Sequence, residues 1–234
     1  MVRNSLLILL VAVFAWFLFS VFSEYKTQTE LNKTALYYNS NEAEEIGAAN
    51  IVTAIVVTYR GLDTLGEVTV LFLTTVIIGF ILKNVKLSFQ TEPKKHDLPS
   101  EILVTGAKVL VPGSIILGTY IFINGHLTPG GGFQGGAVIG SAIVLLTLAD
   151  PYKIVSTKLM HFIESTSGFF YVIIGILGLI LAGGFLDSRL LPDGNLGSLI
   201  SAGVIPIIYS LIGLKVGAEI SGIVKSINES EITE

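Results

Sequence analysis

Long apolar runs alternate with short polar connections along most of this chain. Residues 5–23 are almost wholly apolar and follow Arg3. Further runs occupy residues 66–83, 98–123, 131–149, 165–185 and 198–224. Each is close to or above the roughly 20 residues that a helix needs to cross a bilayer. The pattern predicts an all-α integral membrane protein with about six transmembrane helices plus one short helix. A signal peptide is the rival reading of the first run, but it would have a shorter apolar core and a small-residue cleavage site. Phe19-Ser20-Val21-Phe22-Ser23-Glu24 lacks that site, so the run is read as an uncleaved span.

The connections carry most of the polar residues. Residues 24–45 are mixed in charge, with Lys26, Glu30, Lys33, Glu42, Glu44 and Glu45, and read as a loop or surface segment. Residues 46–59 are moderately apolar but too short for a span, so they read as a helix at the interface or buried among neighbours; the alternative is a seventh crossing. Thr64-x-x-Glu67 has the form of a capping box that opens the second span. Lys83, Lys86, Lys94 and Lys95 make 83–101 the most basic connection, with Pro93 and Pro99 near its end. Asp150-Pro151 ends the fourth span, because a residue before proline disfavours helix.

Between the third and fourth runs lies Asn124-Gly125-His126-Leu127-Thr128-Pro129-Gly130-Gly131-Gly132-Phe133-Gln134-Gly135-Gly136. Asn-Gly is a turn signal. Thr128 followed by Pro129 resembles an N-cap and a helix-starting proline. The glycines then enter the apolar run, where bare backbone allows close approach of neighbouring helices. The reading is a tight corner between two spans.

Six spans place both termini on one side. With the N-terminus inside, Arg3, Lys83, Lys86, Lys94, Lys95, Lys153, Lys158 and Lys225 fall inside or at the inner edge, against Lys26, Lys33, Arg60 and Arg189 outside. That division follows the positive-inside rule, puts both termini in the cytoplasm and sets the glycine corner outside. A mean hydropathy of +0.75 agrees with an integral membrane protein. So do 51% hydrophobic and 14% charged residues, against a usual quarter charged. Net charge is only −4, with scattered basic residues, so nucleic acid is not indicated. There are no cysteines, and the three histidines are far apart, so neither a metal site nor a cofactor is expected.

Ionisable residues within spans are functional hypotheses by default. Lys108 lies some 10 Å inside the third span at 1.5 Å per residue. Pro112, four residues on, cannot donate to the Lys108 carbonyl, and a kink, a freed carbonyl and an amine then share one level. The alternative is that Lys108 snorkels to the surface on its long stem. In the sixth span Pro206 would free the Ala202 carbonyl, and Lys215 and Glu219, four apart, share one face. They read either as a relay or as an ion pair at the interface. Asp63 and Glu67 also share a face, within reach of Arg60, either as part of an ion path or simply as a helix start. His126 is a candidate proton carrier or bonds only its own turn. Glu164 reads as a first-turn charge of the fifth span.

The run Gly125-His126-Leu127-Thr128-Pro129-Gly130-Gly131-Gly132-Phe133-Gln134-Gly135-Gly136 resembles the signature of the B subunit of multisubunit (Mrp-type) Na+/H+ antiporters, also called MnhB. Tyr59-Arg60-Gly61-Leu62-Asp63-Thr64-Leu65-Gly66-Glu67-Val68-Thr69-Val70 is similar to the C-terminal end of the large A subunit of the same antiporters, with Thr58 where that family has aspartate. The resemblance implies two modules, 1–90 like the end of the A subunit and 98–225 like the B subunit. Such fusions occur in archaeal membrane-bound hydrogenases and sulfane-sulfur reductases. It implies a non-catalytic subunit of a sodium- and proton-translocating assembly. Its partners would be small and large antiporter-like membrane subunits, a hydrogenase-like or sulfur-reducing redox module, and the lipid bilayer. A purely structural packing subunit is the alternative. Nothing in the residues supports a self-sufficient enzyme.

Overall fold

The structure, a computed structural model, describes residues 2–24, 31–85, 99–150 and 156–232. The elements are α1 (Val2–Glu24), α2 (Lys33–Glu45), α3 (Ile51–Thr53) running into a π-helical stretch (Ala54–Tyr59), α4 (Gly61–Val85), α5 (Glu101–Ile123), α6 (Gly132–Ala149), α7 (Thr157–Leu181), a 3-10 turn (Ser188–Leu190) and α8 (Ile205–Ile232). No strand occurs among the described residues. Six helices, α1 and α4 to α8, are long and apolar enough to cross a membrane.

Residues 1–37 and 38–234 form two compact units. In the first, α1 is apolar all round and its large side chains, Leu6 to Phe22, are exposed. A helix of that kind is soluble in lipid rather than in water.

In the second unit α8 is the centre, packed against α4, α5, α6 and α7. Burial in a bilayer does not drive apolar helices together, so close packing of small residues must. Glycines of α6 supply it. A methyl group at Gly132 would sit 2.6 Å from Ile212, at Gly136 2.7 Å from Val216 and at Gly140 2.5 Å from Ile220. Those positions recur every four residues and form one stripe facing α8. Gly135 faces α5, where its own Cβ would lie 2.5 Å from the Gly118 carbonyl oxygen. The pairings also fix direction. Gly132, Gly136 and Gly140 rise with Ile212, Val216 and Ile220, so α6 is parallel to α8. Gly168 of α7 meets Lys215, while Lys225 meets Thr157, so α7 is antiparallel. The glycine corner, the start of α4 and the α7–α8 connection therefore share one end of this unit.

Several boundaries differ from those the pattern predicts. The fifth span starts at Thr157, not residue 165, and ends at Leu181. Met160, Ser167, Tyr171, Gly175 and Gly178 form its buried stripe, which begins before the apolar run does. Glu164 is thus well inside the helix and is no first-turn charge. The sixth span starts at Ile205, not 198, because the Ala202 backbone is left-handed (φ 62°). Pro206 lies in the first turn, where its missing N–H costs nothing. The Ala202 carbonyl is not freed, since it accepts from Ile205 N–H at 3.1 Å. α4 starts at Gly61, so Thr64 does not cap it; the Thr64 hydroxyl donates to the Val56 carbonyl at 2.7 Å. α6 starts at Gly132, and the Thr128 hydroxyl turns back to the Asn124 carbonyl at 3.2 Å, so Thr128 and Pro129 belong to the turn. α5 is capped by Ser100, which accepts from Leu103 N–H at 3.2 Å; Pro99 precedes the cap. Residues 33–45 of the predicted surface segment are helical. Of 46–59 only 51–59 are helical, and Thr53, Ala54 and Val57 are fully buried, so this piece is a buried helix and not a crossing. Lys26, Lys86, Lys94, Lys95, Lys153, Pro93 and Pro151 lie outside the described residues.

Candidate functional site

Spacing of four puts Lys215 and Glu219 on one face of α8. That face meets α4 and α7. Lys215 Nζ lies 2.7 Å from Glu219 Oε1, with the side chains 11% and 0% exposed. The pair is therefore buried among the helices of this unit. Glu219 is the fifteenth residue of α8, about 21 Å along the axis at 1.5 Å per residue, inside the apolar span Ile205–Asn228 and past its midpoint. Two residues border the ammonium. The Phe72 ring of α4 takes it at 5.1 Å from the centroid, a cation–π contact. Gly168 of α7 borders it, where an added Cβ would make an ordinary van der Waals contact 3.6 Å from Nζ. Beyond the lysine, the Glu219 carboxylate has no hydrogen-bond partner among the described residues. Burying such a pair costs several kcal/mol per ion before its mutual attraction is counted.

Other ionisable groups follow the same interface. Glu164, one turn of α7 before Gly168, is 14% exposed and lies 3.4 Å from His161 Nδ1. Its charge acts on Glu219. His161 and Glu164 line a cavity of about 350 Å3 between α4, α7 and α8, with Phe72, Ala218 and Ser226. Thr157 and Lys225 also line it, and Lys225 donates to the Thr157 hydroxyl. Toward the corner end, Tyr171 is 2% exposed, its hydroxyl has no hydrogen-bond partner among the described residues, and the charge of Glu67 acts on it.

The glycine corner is held from outside its own sequence. Asn50 Nδ2 donates to the carbonyls of Gly125 and Thr128, both at 2.9 Å, and Asn50 N–H donates to the His126 carbonyl at 3.1 Å. The Thr53 hydroxyl donates to the Gly125 carbonyl at 2.6 Å, and Tyr209 Oη of α8 donates to Thr53 Oγ1 at 3.2 Å. His126 is fully buried, and Nε2 meets the Ser198 carbonyl at 3.3 Å, so it binds the α7–α8 connection. Burial pushes the imidazole below its ordinary value, opposed by the carbonyls of Ser198, Ile123 and Leu199. Gly125, Gly131 and Gly132 each border Tyr209.

At this end Arg60 pairs with Asp63, Nε to Oδ2 at 2.6 Å, and both are more than half exposed. With Asp187 they line a cavity of about 500 Å3. Hydrogen bonds from Arg189 hold the Asp187 carboxyl below the usual carboxylate range, while burial pushes Asp193 up. Glu67 stands on the exposed face of α4, apart from the Arg60–Asp63 pair. Lys108 is exposed on α5, has no ion-pair partner among the described residues, and shares a cavity of about 290 Å3 with Pro112 and Asp150. Its α5–α6 cavity is distinct from the α4–α7–α8 cavity beside Lys215 and Glu219. Of the candidates, the structure thus joins Lys215 to Glu219 and Asp63 to Arg60, and it adds His161, Glu164 and Tyr171. A helix drawn back to Thr157 would have put the first two on the Gly168 face. No group of three or more His, Cys, Asp or Glu able to hold a metal occurs among the described residues.

Residues 102–222 match the sequence family described as a domain related to the MnhB subunit of Na+/H+ antiporter, and residues 3–94 match the family described as the E subunit of MBH. An uncharacterized protein of Methanocaldococcus jannaschii is 31% identical over 196 residues, 74% of each chain. A chain in the structure of the membrane-bound sulfane sulfur reductase (MBS), an archaeal respiratory membrane complex, is 39% identical, with a TM-score of 0.81 over 97% of this chain and 98% of that one. A chain of the Mrp complex from Dietzia sp. DQ12-45-1b has the same fold at 24% identity, with a TM-score of 0.74 over 97% of this chain and 26% of that one.

Proposed function

The chain belongs to the family of domains related to the MnhB subunit of Na+/H+ antiporters, and on that premise we propose that it is a non-catalytic subunit contributing to sodium or proton translocation in a larger membrane assembly. It is a multi-pass membrane protein. The observation that carries the ion-route reading is the buried Lys215–Glu219 pair within the apolar span Ile205–Asn228. A carboxylate with one cationic partner can exchange a proton or accept a cation when that partner swings away. Glu164 and His161 extend the polar series toward one end, and Tyr171 and Glu67 toward the other. Because Glu67 and Lys108 are exposed on helix faces, the route is completed by neighbouring subunits.

The match to the sulfane sulfur reductase chain supports attachment to a redox-driven respiratory complex, with antiporter-like subunits as neighbours. The two family matches support a module of 1–90 joined to one of 98–225. Both termini lie on the cytoplasmic side of the cell membrane in this reading.

The test is sodium-linked transport by the purified parent complex in proteoliposomes, with Glu219→Gln and Lys108→Met compared at equal assembly on a native gel. Loss with Glu219→Gln supports the route. Transport unchanged in both would leave a packing subunit built on the glycine stripe.

A further inference from the structure

The cavity between α4, α7 and α8 runs up to Phe72 and Ala218, which adjoin the deep ion pair, and holds polar groups that packing does not require. Along α8, Lys215, Glu219, Gly222 and Ser226 follow one stripe at steps of four, three and four, with Ala218 beside it. Phe72 belongs both to the cavity wall and to the cation–π contact with Lys215, so its ring is the partition between the two. On α7 the order is Thr157, His161, Glu164, then Gly168 beside Lys215. From His161 to Gly168 is seven residues, about 10 Å of axial distance. The mouth lies at the α7 N-terminus, where Lys225 meets Thr157. The corner end is closed by Tyr171, Ile208, Ile212 and Val68, all buried.

We propose that this cavity is a one-sided aqueous vestibule that brings water and a monovalent cation or proton to Glu219 from the α7 N-terminal end, with Glu164 as the intermediate carboxylate. The polar side chains in its partly apolar wall, His161, Glu164, Ser165 and Ser226 among them, supply the two to four polar partners that a water needs. Glu164, partly exposed to the cavity and electrostatically coupled to Glu219, supplies the negative potential that draws a cation inward. The Phe72 ring must rotate for Lys215 to leave Glu219, and this makes it the positioning residue of the inner end. The inference rests on the ion-route reading above and deepens it.

The chain has no cysteine of its own, so single cysteines report access directly. Ser226→Cys probes the mouth, Ser165→Cys the level of Glu164 and Ala218→Cys the inner end; Leu179→Cys on the exposed corner half of α7 is the control. The intact complex in oriented vesicles is treated with a membrane-impermeant cationic methanethiosulfonate from each face, and this chain is separated and its label measured. Labelling at Ser226, Ser165 and Ala218 from the α7 N-terminal face alone is expected, together with loss of the preference for cationic over neutral reagent at Ala218→Cys when Glu164→Gln is added. Should Ala218→Cys fail to assemble, Ser165→Cys carries the same comparison. Inert Ser165 and Ala218 cysteines beside a reactive Ser226 cysteine would overturn the vestibule, as would labelling from both faces. One-sided labelling with normal transport by Glu219→Gln would instead keep the vestibule and remove the ion-route reading.

Discussion

The Lys215 ammonium lies 2.7 Å from a Glu219 carboxylate that solvent does not reach. Breaking such a pair on one side leaves a buried charge and typically costs about 3–5 kcal/mol, whereas replacing both members by groups of similar volume is often neutral. Glu219→Ala alone should therefore lower the thermal stability of the complex in detergent markedly, and Lys215→Met with Glu219→Gln should restore most of it. Equal stability of the single and double variants would show that the charges are not coupled.

Gly136 and Gly113 separate packing from propensity. A methyl group at Gly136 meets Val216 at 2.7 Å, while one at Gly113 meets nothing within 4 Å. Gly136→Ala should destabilise by about 1–3 kcal/mol through overpacking. Gly113→Ala should be neutral or gain up to about 1 kcal/mol as a better helix former. Thermal melts of the purified complex decide it, and a neutral Gly136→Ala would contradict the close α6–α8 contact.

Thr53 binds the Gly125 carbonyl and receives the Tyr209 hydroxyl. Thr53→Val keeps the shape and strands both partners, at about 1–3 kcal/mol for a buried unsatisfied group. Faster amide exchange across residues 124–131 is the expected readout, with transport per assembled complex retained. Unaltered exchange there would mean that the corner holds itself.

His126 is buried, and its imidazole is held below the ordinary value of about 6.5. Its neutral form is the folded one. Stability tied to it is complete above the unfolded value and is lost as pH falls from there toward the lower folded value, because the unfolded chain binds the proton first. Melting temperature should thus drop between neutral and mildly acid pH, and His126→Gln should flatten that drop. The same acid slope in His126→Gln would assign it to other groups.

The long helices were legible because each carries an apolar run of bilayer length, and the glycine corner because Asn-Gly and repeated glycine have few other uses. Helix starts were less so. Thr64-x-x-Glu67 has the letters of a capping box, yet the π-helical stretch before it offers Thr64 the Val56 carbonyl instead. α7 begins in Thr157–Glu164, whose polar residues hide a buried stripe starting at Met160. α8 begins late because Ala202 adopts a left-handed backbone that only the surrounding packing imposes. Of the site, the Lys215–Glu219 face was readable from spacing, but not its neighbours Phe72 and Gly168, which lie 143 and 47 positions before Lys215 in sequence. The Asn50–Thr53–Tyr209 anchor spans 156 positions between Thr53 and Tyr209, and no local signal announces it.

The most direct measurement is sodium-linked proton movement in proteoliposomes by the complex carrying both Lys215→Met and Glu219→Gln, matched to wild type in assembly and melting temperature. The ion-route account predicts an assembled, stable complex that no longer couples sodium to protons. Wild-type transport by that variant would contradict it and leave the pair a structural feature of α8.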